Sequence, residues 1–237
     1  SAEVTLENLL PTMVAVEDRA SILEDAGLQS VTLVGISAGL NEDQPLRFAV
    51  TSDTPELIPD PTVTHAAGQS QATLEFTPAI ETSGNAEITV TLTDAGPDLE
   101  FDTADDASIV RSFSVAVLAV NDPPTLAAIA DPPPILMGAG QQQVSLSGIG
   151  AGAGEIQPLE ITAVADDPGL VTGLSVSYTS PETIGTLQYS PDENRSGTTT
   201  ITVTVTDGGL DGNLSTTGDN QSFAQQFTVS TNLVDEN

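Results

Sequence analysis

The feature that most constrains this chain is that it repeats itself at an offset of 113 positions. Residues 21–39 (SILEDAGLQSVTLVGISAG) lie over residues 134–152 (PILMGAGQQQVSLSGIGAG), with Ile22 on Ile135, Gly27 on Gly140, Leu33 on Leu146 and Ile36 on Ile149. The same offset runs without a gap through Glu42/Glu155, Pro45/Pro158, Leu57/Leu170, Leu74/Leu187, Ile88/Ile201, Val90/Val203 and Asp94/Asp207. One residue is then inserted before the last strand, so that Phe113 matches Phe227. A fixed period of this kind means two copies of one structural unit, each of about 110 residues and large enough to bury its own core.

The retained positions have the logic of strands. Residues 86–93 (AEITVTLT) and 199–206 (TTITVTVT) alternate apolar side chains with polar ones, chiefly Thr. That period of two predicts half-buried strands with Ile, Val and Leu facing inward. Residues 31–33, 46–50, 62–64, 74–76 and 113–120 read the same way, with Gly, Pro, Asn and Asp clusters between them. The expected fold is all-β: two tandem seven-stranded Greek-key β-sandwiches. With no Trp and only 3% aromatic residues, their cores must be built from Val, Ile, Leu and Ala.

The joints are legible too. Val120-Asn121-Asp122-Pro123-Pro124-Thr125 leaves one strand and opens the next unit, and its prolines favour a stiff, extended connection. The expected units are therefore residues 9–121 and 122–237. Residues 8–12 (NLLPT) stand at the same offset and look like a degraded copy of that joint. Residues 1–8 (SAEVTLEN) align with residues 114–121, a last strand. They are expected to be the final strand of a preceding unit, or a strand used in assembly, and the chain reads as a stretch of a longer array.

Charge excludes several classes of partner. Thirty-four acidic residues against four Arg and no Lys give a formal charge of −30. Such a surface repels nucleic acid and anionic membrane. No apolar run is long enough to span a bilayer, so no membrane insertion is expected of this segment. There is no Cys, which removes disulfides and thiolate sites. The one His, His65, is replaced by Tyr178 in the second copy, which marks an aromatic packing position. Without Cys, Lys or a second His the usual nucleophile–base pairs cannot be assembled, and the chain is not expected to be an enzyme.

Carboxylates gathered around divalent cations are one reading of the charge, and a solvating coat suited to high salt is the other. Residues 94–106 (DAGPDLEFDTADD) carry six acidic residues, and residues 207–219 (DGGLDGNLSTTGD) keep three at the same offset: Asp94/Asp207, Asp98/Asp211 and Asp106/Asp219. Gly96/Gly209 is kept as well. Hard oxygen ligands that must converge on Ca²⁺ would hold such a register, and Gly would permit the tight turn. Asp and Gly as turn formers between strands are the competing explanation. A second candidate cluster lies at the joint, with Asn121 and Asp122 in it and Glu24 and Asp25 before a strand; Met137 and Gly138 replace the latter pair in the second copy.

The run V-T-L-T-D-A-G-P, the stretch from Phe113 to Asn-Asp-Pro-Pro, and Leu23-Glu24-Asp25-Ala26-Gly27 resemble the end and the start of a cadherin-like repeat. The chain is similar to the cadherin-like or immunoglobulin-like tandem repeats of large bacterial surface proteins. That resemblance implies Ca²⁺ at the joints, with Glu24, Asp94, Asn121 and Asp122 at ligand positions. The sequence departs from it where cadherins carry Asp-x-Asp after the second strand, reading Ser37-Ala38-Gly39 and Gly150-Ala151-Gly152.

The leading expectation is a non-catalytic extracellular module on the cell surface, a Ca²⁺-stiffened adhesive or structural stalk. Its partners would be other repeats of the same protein, neighbouring subunits, or surface glycans and proteins. Two alternatives stand beside it. One is a subunit of an extracellular filament assembled by β-strand addition through residues 1–8. The other is a carbohydrate-binding module, for which Tyr178 and Tyr189 are the candidate aromatic faces.

Overall fold

The structure, a computed structural model, describes residues 7–233. Two compact units divide between Val120 and Asn121, one residue before the expected boundary. Fourteen strands and no helix are found among the described residues, seven strands to each unit.

In unit 1 the strands are β1 (Ile22–Leu23), β2 (Gln29–Val34), β3 (Leu46–Ser52), β4 (Thr62–His65), β5 (Gln71–Phe76), β6 (Gly84–Asp94) and β7 (Ser108–Leu118). They form one sheet in the order β1-β7-β6-β3 and a second in the order β2-β5-β4. The chain crosses between the sheets after β1, β2, β3 and β5, which is the Greek-key connectivity of a sandwich. Unit 2 has β8 (Ile135–Leu136), β9 (Gln142–Ser147), β10 (Leu159–Ala165), β11 (Val171–Ser177), β12 (Ile184–Pro191), β13 (Gly197–Asp207) and β14 (Ser222–Asn232). Its sheets run β8-β14-β13-β10 and β9-β12-β11, the same order strand for strand. The two-residue strands β1 and β8, parallel to β7 and β14, are too short to show a period in the sequence.

Alternation decides what is buried. On β6 the inward row is Ala86, Ile88, Val90 and Leu92; on β13 it is Thr199, Ile201, Val203 and Val205. They meet Leu33, Leu74 and Phe113 in unit 1, and Leu146, Leu187 and Phe227 in unit 2. Each Ile, Val, Leu or Phe side chain among them contributes about 1.5–3 kcal/mol when fully buried. Ile88 pairs with Phe113 and Ile201 with Phe227, so the extra residue of unit 2 falls between β13 and β14.

Two aromatic expectations have different outcomes. His65 packs its ring against Phe48 at 5.3 Å, and its Nε2 lies 2.8 Å from the Gln69 carbonyl. Tyr189 is a core residue at 1% exposure and offers no face to a sugar, because it takes the inward place that Phe76 holds in unit 1. Of the strand expected over residues 1–8, residues 1–6 lie outside the described part. Glu7 and Asn8 are not in a strand, and Asn8 is bonded into unit 1.

Candidate metal centre

The inward row of β6 does not stop at Leu92. Two residues on, Asp94 has the same orientation and is 0% exposed; Asp207 ends β13 in the same way, also 0% exposed. A carboxylate is thus delivered to the end of the core by strand alternation alone. Burying it is costly unless its oxygens find partners.

One oxygen of each does. Asp94 Oδ1 accepts from Asn8 Nδ2 at 2.7 Å, Gly96 N at 3.0 Å and Ala107 N at 3.2 Å. Asp207 Oδ1 accepts from Asn121 Nδ2 at 3.1 Å, Gly209 N at 3.0 Å and Gln221 N at 2.8 Å. The other oxygen, Oδ2, is buried in both with no hydrogen-bond partner.

Each Asn ties further groups to this point. Asn8 Nδ2 also donates to the Asp105 carbonyl at 2.8 Å, and its Oδ1 accepts from Gln44 Nε2 at 3.0 Å. The next backbone N–H, of Leu9, donates to Glu42 Oε1 at 3.2 Å. In unit 2, Asn121 Nδ2 donates to the Asp219 carbonyl at 2.8 Å, Gln157 Nε2 donates to Asn121 Oδ1 at 2.7 Å, and Asp122 N donates to Glu155 Oε2 at 3.0 Å. The Gln221 side chain donates to the Asn121 carbonyl. Around these two hubs lie further buried oxygens without a hydrogen-bond partner: Glu42 Oε2 and Gln44 Oε1 in unit 1, Asp122 Oδ2 and Gln157 Oε1 in unit 2. A donor set of carboxylate and amide oxygens, with neither sulfur nor imidazole, suits a hard divalent cation such as Ca²⁺.

The loop between β6 and β7 leans on the same centre. Gly96, at φ 58°, brings the backbone against Asp105, and a Cβ there would lie 2.8 Å from its carboxylate; Gly209 and Asp219 repeat the arrangement. Asp98 N lies 3.4 Å from Asp105 Oδ2 and Asp211 N 3.3 Å from Asp219 Oδ2. These parallels correct one expected pairing. Thr103 and Thr216 keep the offset, the extra residue follows Thr216, and Asp105 rather than Asp106 is the counterpart of Asp219.

The remaining candidates are engaged locally. Asp98 Oδ1 accepts from Glu100 N and Asp211 Oδ1 from Asn213 N, both at 2.8 Å, so turn geometry accounts for the register of that pair. Asp106 Oδ2 caps Asp102 N at 2.8 Å. The Thr103 hydroxyl lies 3.5, 2.8 and 3.1 Å from oxygens of Asp98, Asp105 and Asp106, yet it has one proton to give. Its hydrogen bond holds the Asp105 carboxyl below the ordinary carboxylate range. Arg47 pins the loop through a bidentate pair with Asp102 at 2.7 and 3.1 Å, and stacks on Phe101 at 4.6 Å. Unit 2 has Glu160 in the place of Arg47.

Glu24 and Asp25 lie at the opposite end of unit 1. Buried Glu24 accepts from Val120 N through Oε1 at 2.7 Å. Exposed Asp25, at φ 61°, accepts from Glu81 N at 3.0 Å. Neither belongs to the centre around Asn8.

Sequence reasoning missed Asn8, Glu42, Gln44 and Asp105, with Gln157 and Glu155 in unit 2. The signal was present for most of them, since Asn8/Asn121, Glu42/Glu155 and Gln44/Gln157 all keep the 113 offset.

No protein-family model matches the chain. No curated protein sequence matches it. Among solved structures it is similar to the protocadherin gammaB7 EC3-6 cis-dimer, with a TM-score of 0.51 and 14% identity over 97% of this chain and 49% of that one. The chain therefore spans about half the length of that protein. It also aligns with human mucin-like protocadherin EC1-2 (TM-score 0.45, 14% identity, 94% of this chain and 98% of that one). A third match is the S-layer protein SbsC domains 4 and 5 (TM-score 0.32, 17% identity, 79% and 76%). The likeness to the protocadherin is one of fold: both units are cadherin-like sandwiches.

Proposed function

We propose that this chain is a non-catalytic extracellular module of a bacterial surface protein, an adhesive or structural stalk whose sandwiches each hold Ca²⁺. The observation that carries the reading is the unpartnered, fully buried Oδ2 of Asp94 and of Asp207, set in matching surroundings in two units. Asp94, Glu42 and Gln44 would hold the ion in unit 1, and Asp207, Asp122 and Gln157 in unit 2. The bound ion would supply the positive charge that these buried oxygens lack.

The chain's own residues do the rest. Asn8 and Asn121 orient the carboxylates and fasten the incoming segment to the end of the core. Each therefore couples the way the chain enters a unit to the state of that unit's centre. Ion binding to the folded unit alone adds RT ln(1 + [L]/Kd), about 3 kcal/mol at a hundredfold excess over Kd. The non-catalytic reading draws on the engagement of the sole His in packing and on a composition without Cys or Lys.

Calorimetric titration of the chelated chain with Ca²⁺, with melting followed in parallel, tests this. Saturable binding and a rise in melting temperature are expected, with Mg²⁺ a weaker ligand because it dehydrates reluctantly and demands a stricter geometry. Absence of heat at millimolar Ca²⁺ and an unchanged melting temperature would overturn it.

A further inference from the structure

Unit 2 contains three Asn-x-Ser triplets, beginning at Asn194, Asn213 and Asn220, whereas none of Asn8, Asn41 and Asn85 in unit 1 begins one. Such a triplet is the acceptor motif for N-linked sugar on a surface loop. The offset of 113 places Asn194 on Glu81 and Asn213 on Glu100, so each Asn stands where unit 1 has a carboxylate.

Two of the triplets are built alike. Residues 192–196 (DENRS) and 211–215 (DGNLS) both read Asp-x-Asn-x-Ser. Asp192 Oδ1 accepts from Asn194 N and Asp211 Oδ1 from Asn213 N, both at 2.8 Å. Each Asp side chain thus closes a turn on the backbone of the Asn two residues on. Asn194 and Ser196 are exposed between β12 and β13, and Asn213 and Ser215 are exposed between β13 and β14. Arg195 holds the first loop through Asp167 at 2.8 and 3.0 Å and leaves the two residues beside it outside. In the second loop Asn213 Oδ1 accepts from Ser215 N at 3.0 Å, which sets the amide beside the Ser of its own triplet. Among the described residues neither Asn194 Nδ2 nor Asn213 Nδ2 donates to a protein group.

Asn220 is built differently. It is half-buried, its Nδ2 lies 3.4 Å from the Asn213 carbonyl, and its Oδ1 is buried. Ser222, which completes this triplet, opens β14 opposite Thr206, and the two hydroxyls lie 2.9 Å apart. The backbone and the hydroxyl of that Ser are therefore committed to the sheet. Gly218 stands where the other two triplets have Asp.

We propose that Asn194 and Asn213 are N-glycosylation sites, each taking an oligosaccharide from a lipid-linked glycosyl pyrophosphate through a membrane-bound transferase, and that Asn220 is not. In the transfer Nδ2 attacks the anomeric carbon of the first sugar. A C–N bond forms as the bond from that carbon to the pyrophosphate oxygen breaks. The pyrophosphate leaves with the bonding pair, and the nitrogen gives one of its two protons to a base. A glycan is bulky and solubilising, so it would keep these loop tips in water as Glu81 and Glu100 do in unit 1. Export of the chain is its premise, and Ca²⁺ plays no part.

The folded, purified chain, incubated with a bacterial N-oligosaccharyltransferase and its polyprenyl-pyrophosphate oligosaccharide, tests this by intact mass and peptide mapping. The wild type is expected to gain two glycans, one on Asn194 and one on Asn213. Ser196→Ala and Ser215→Ala keep each Asn and break its triplet, so each variant is expected to gain one glycan and the double variant none. Both positions are exposed, and an unchanged melting temperature certifies the folds; Asn194→Gln and Asn213→Gln stand in for a variant that misfolds. An unmodified wild type beside a glycosylated control peptide, a glycan on Asn220, or Ser→Ala variants modified as fully as the wild type would each overturn the proposal. Because the transferase is supplied to purified protein, such a failure leaves the extracellular and Ca²⁺ readings standing.

Discussion

Asn8 donates to Asp94 across 86 positions of sequence, and Asn121 donates to Asp207 across the same 86. The bonds are 2.7 and 3.1 Å long and end on the same oxygen, Oδ1. Each anchors the first described contact of a unit to the last residue of its longest inward row. The leading segment and the core end are thereby one structural element, although neither resembles the other in sequence.

Replacing Asp94 by Asn separates the metal reading from a purely structural one. Asn keeps an acceptor for the three donors at Oδ1 and removes the charge at Oδ2. Without Ca²⁺ the stability of unit 1 should change by no more than about 1 kcal/mol. With Ca²⁺ at a hundredfold excess, the increment of about 3 kcal/mol should be lost from unit 1 and kept in unit 2. Asp207→Asn should mirror this. Differential scanning calorimetry with and without chelator reads both, and equal Ca²⁺ response in variant and wild type would count against the centre.

Asn8→Ala acts differently, since it removes the hub and leaves the ligands in place. Asp94 Oδ1 loses one of three donors and Gln44 loses its acceptor, a cost of about 1–3 kcal/mol in chelator as well as in Ca²⁺. Urea melts in both conditions should show it.

Gly96→Ala and Gly27→Ala make a matched pair. Gly96 has φ 58° and a Cβ there would press on Asp105, whereas a Cβ on Gly27 meets nothing within 4 Å. Alanine at 96 should cost at least about 1 kcal/mol, and at 27 close to nothing or a slight gain. Equal effects in thermal melts would show that the loop does not depend on that close approach.

Acid sensitivity follows from four surface carboxyls. The Arg47 guanidinium depresses Asp102, Arg195 depresses Asp167, the Thr103 hydroxyl depresses Asp105, and the Glu87 N–H depresses Asp53. A carboxyl whose folded pKa lies below its unfolded value of about 3.9 stabilises fully above that value. Its contribution is lost as pH falls through the folded pKa, so this stability should fade below about pH 4. Screening with salt reduces the general repulsion that protonation also relieves. Under that condition Arg47→Ala should flatten the acid limb of the melting curve for unit 1 alone, and an unchanged limb would remove Asp102 from the account.

Most of the fold was legible because alternation and period are properties of the backbone pleat. Ile88, Val90, Ile201 and Val203 announced their inward row, and the row fixed the sheets. The short strands β1 and β8 were not legible, since two residues carry no period. The centre was half legible. Asp94 and Asp207 stand out in the sequence only through a loop of carboxylates that proves to be largely occupied with its own turns. Asn8, Glu42 and Gln44 are not legible as a group, because what gathers them is hydrogen bonding over long sequence separation. The pairing of Asp106 with Asp219 failed for a related reason, as the inserted residue sits inside the loop rather than after it.

Because Asp94 faces the core by parity, its burial is a matter of counting. It stands an even number of residues from Ile88, as Asp207 does from Ile201. An insertion or deletion of one residue within β6 or β13 would turn every later side chain over, sending the carboxylate to solvent and a Thr to the interior. The extra residue that unit 2 did accept lies past Thr216, in the loop before β14 and outside any strand. Copies of such a unit can therefore drift freely in loop length while the even count within the longest strand stays fixed. A scan of single-residue insertions along β13 would be tolerated in the following loop and rejected before Asp207.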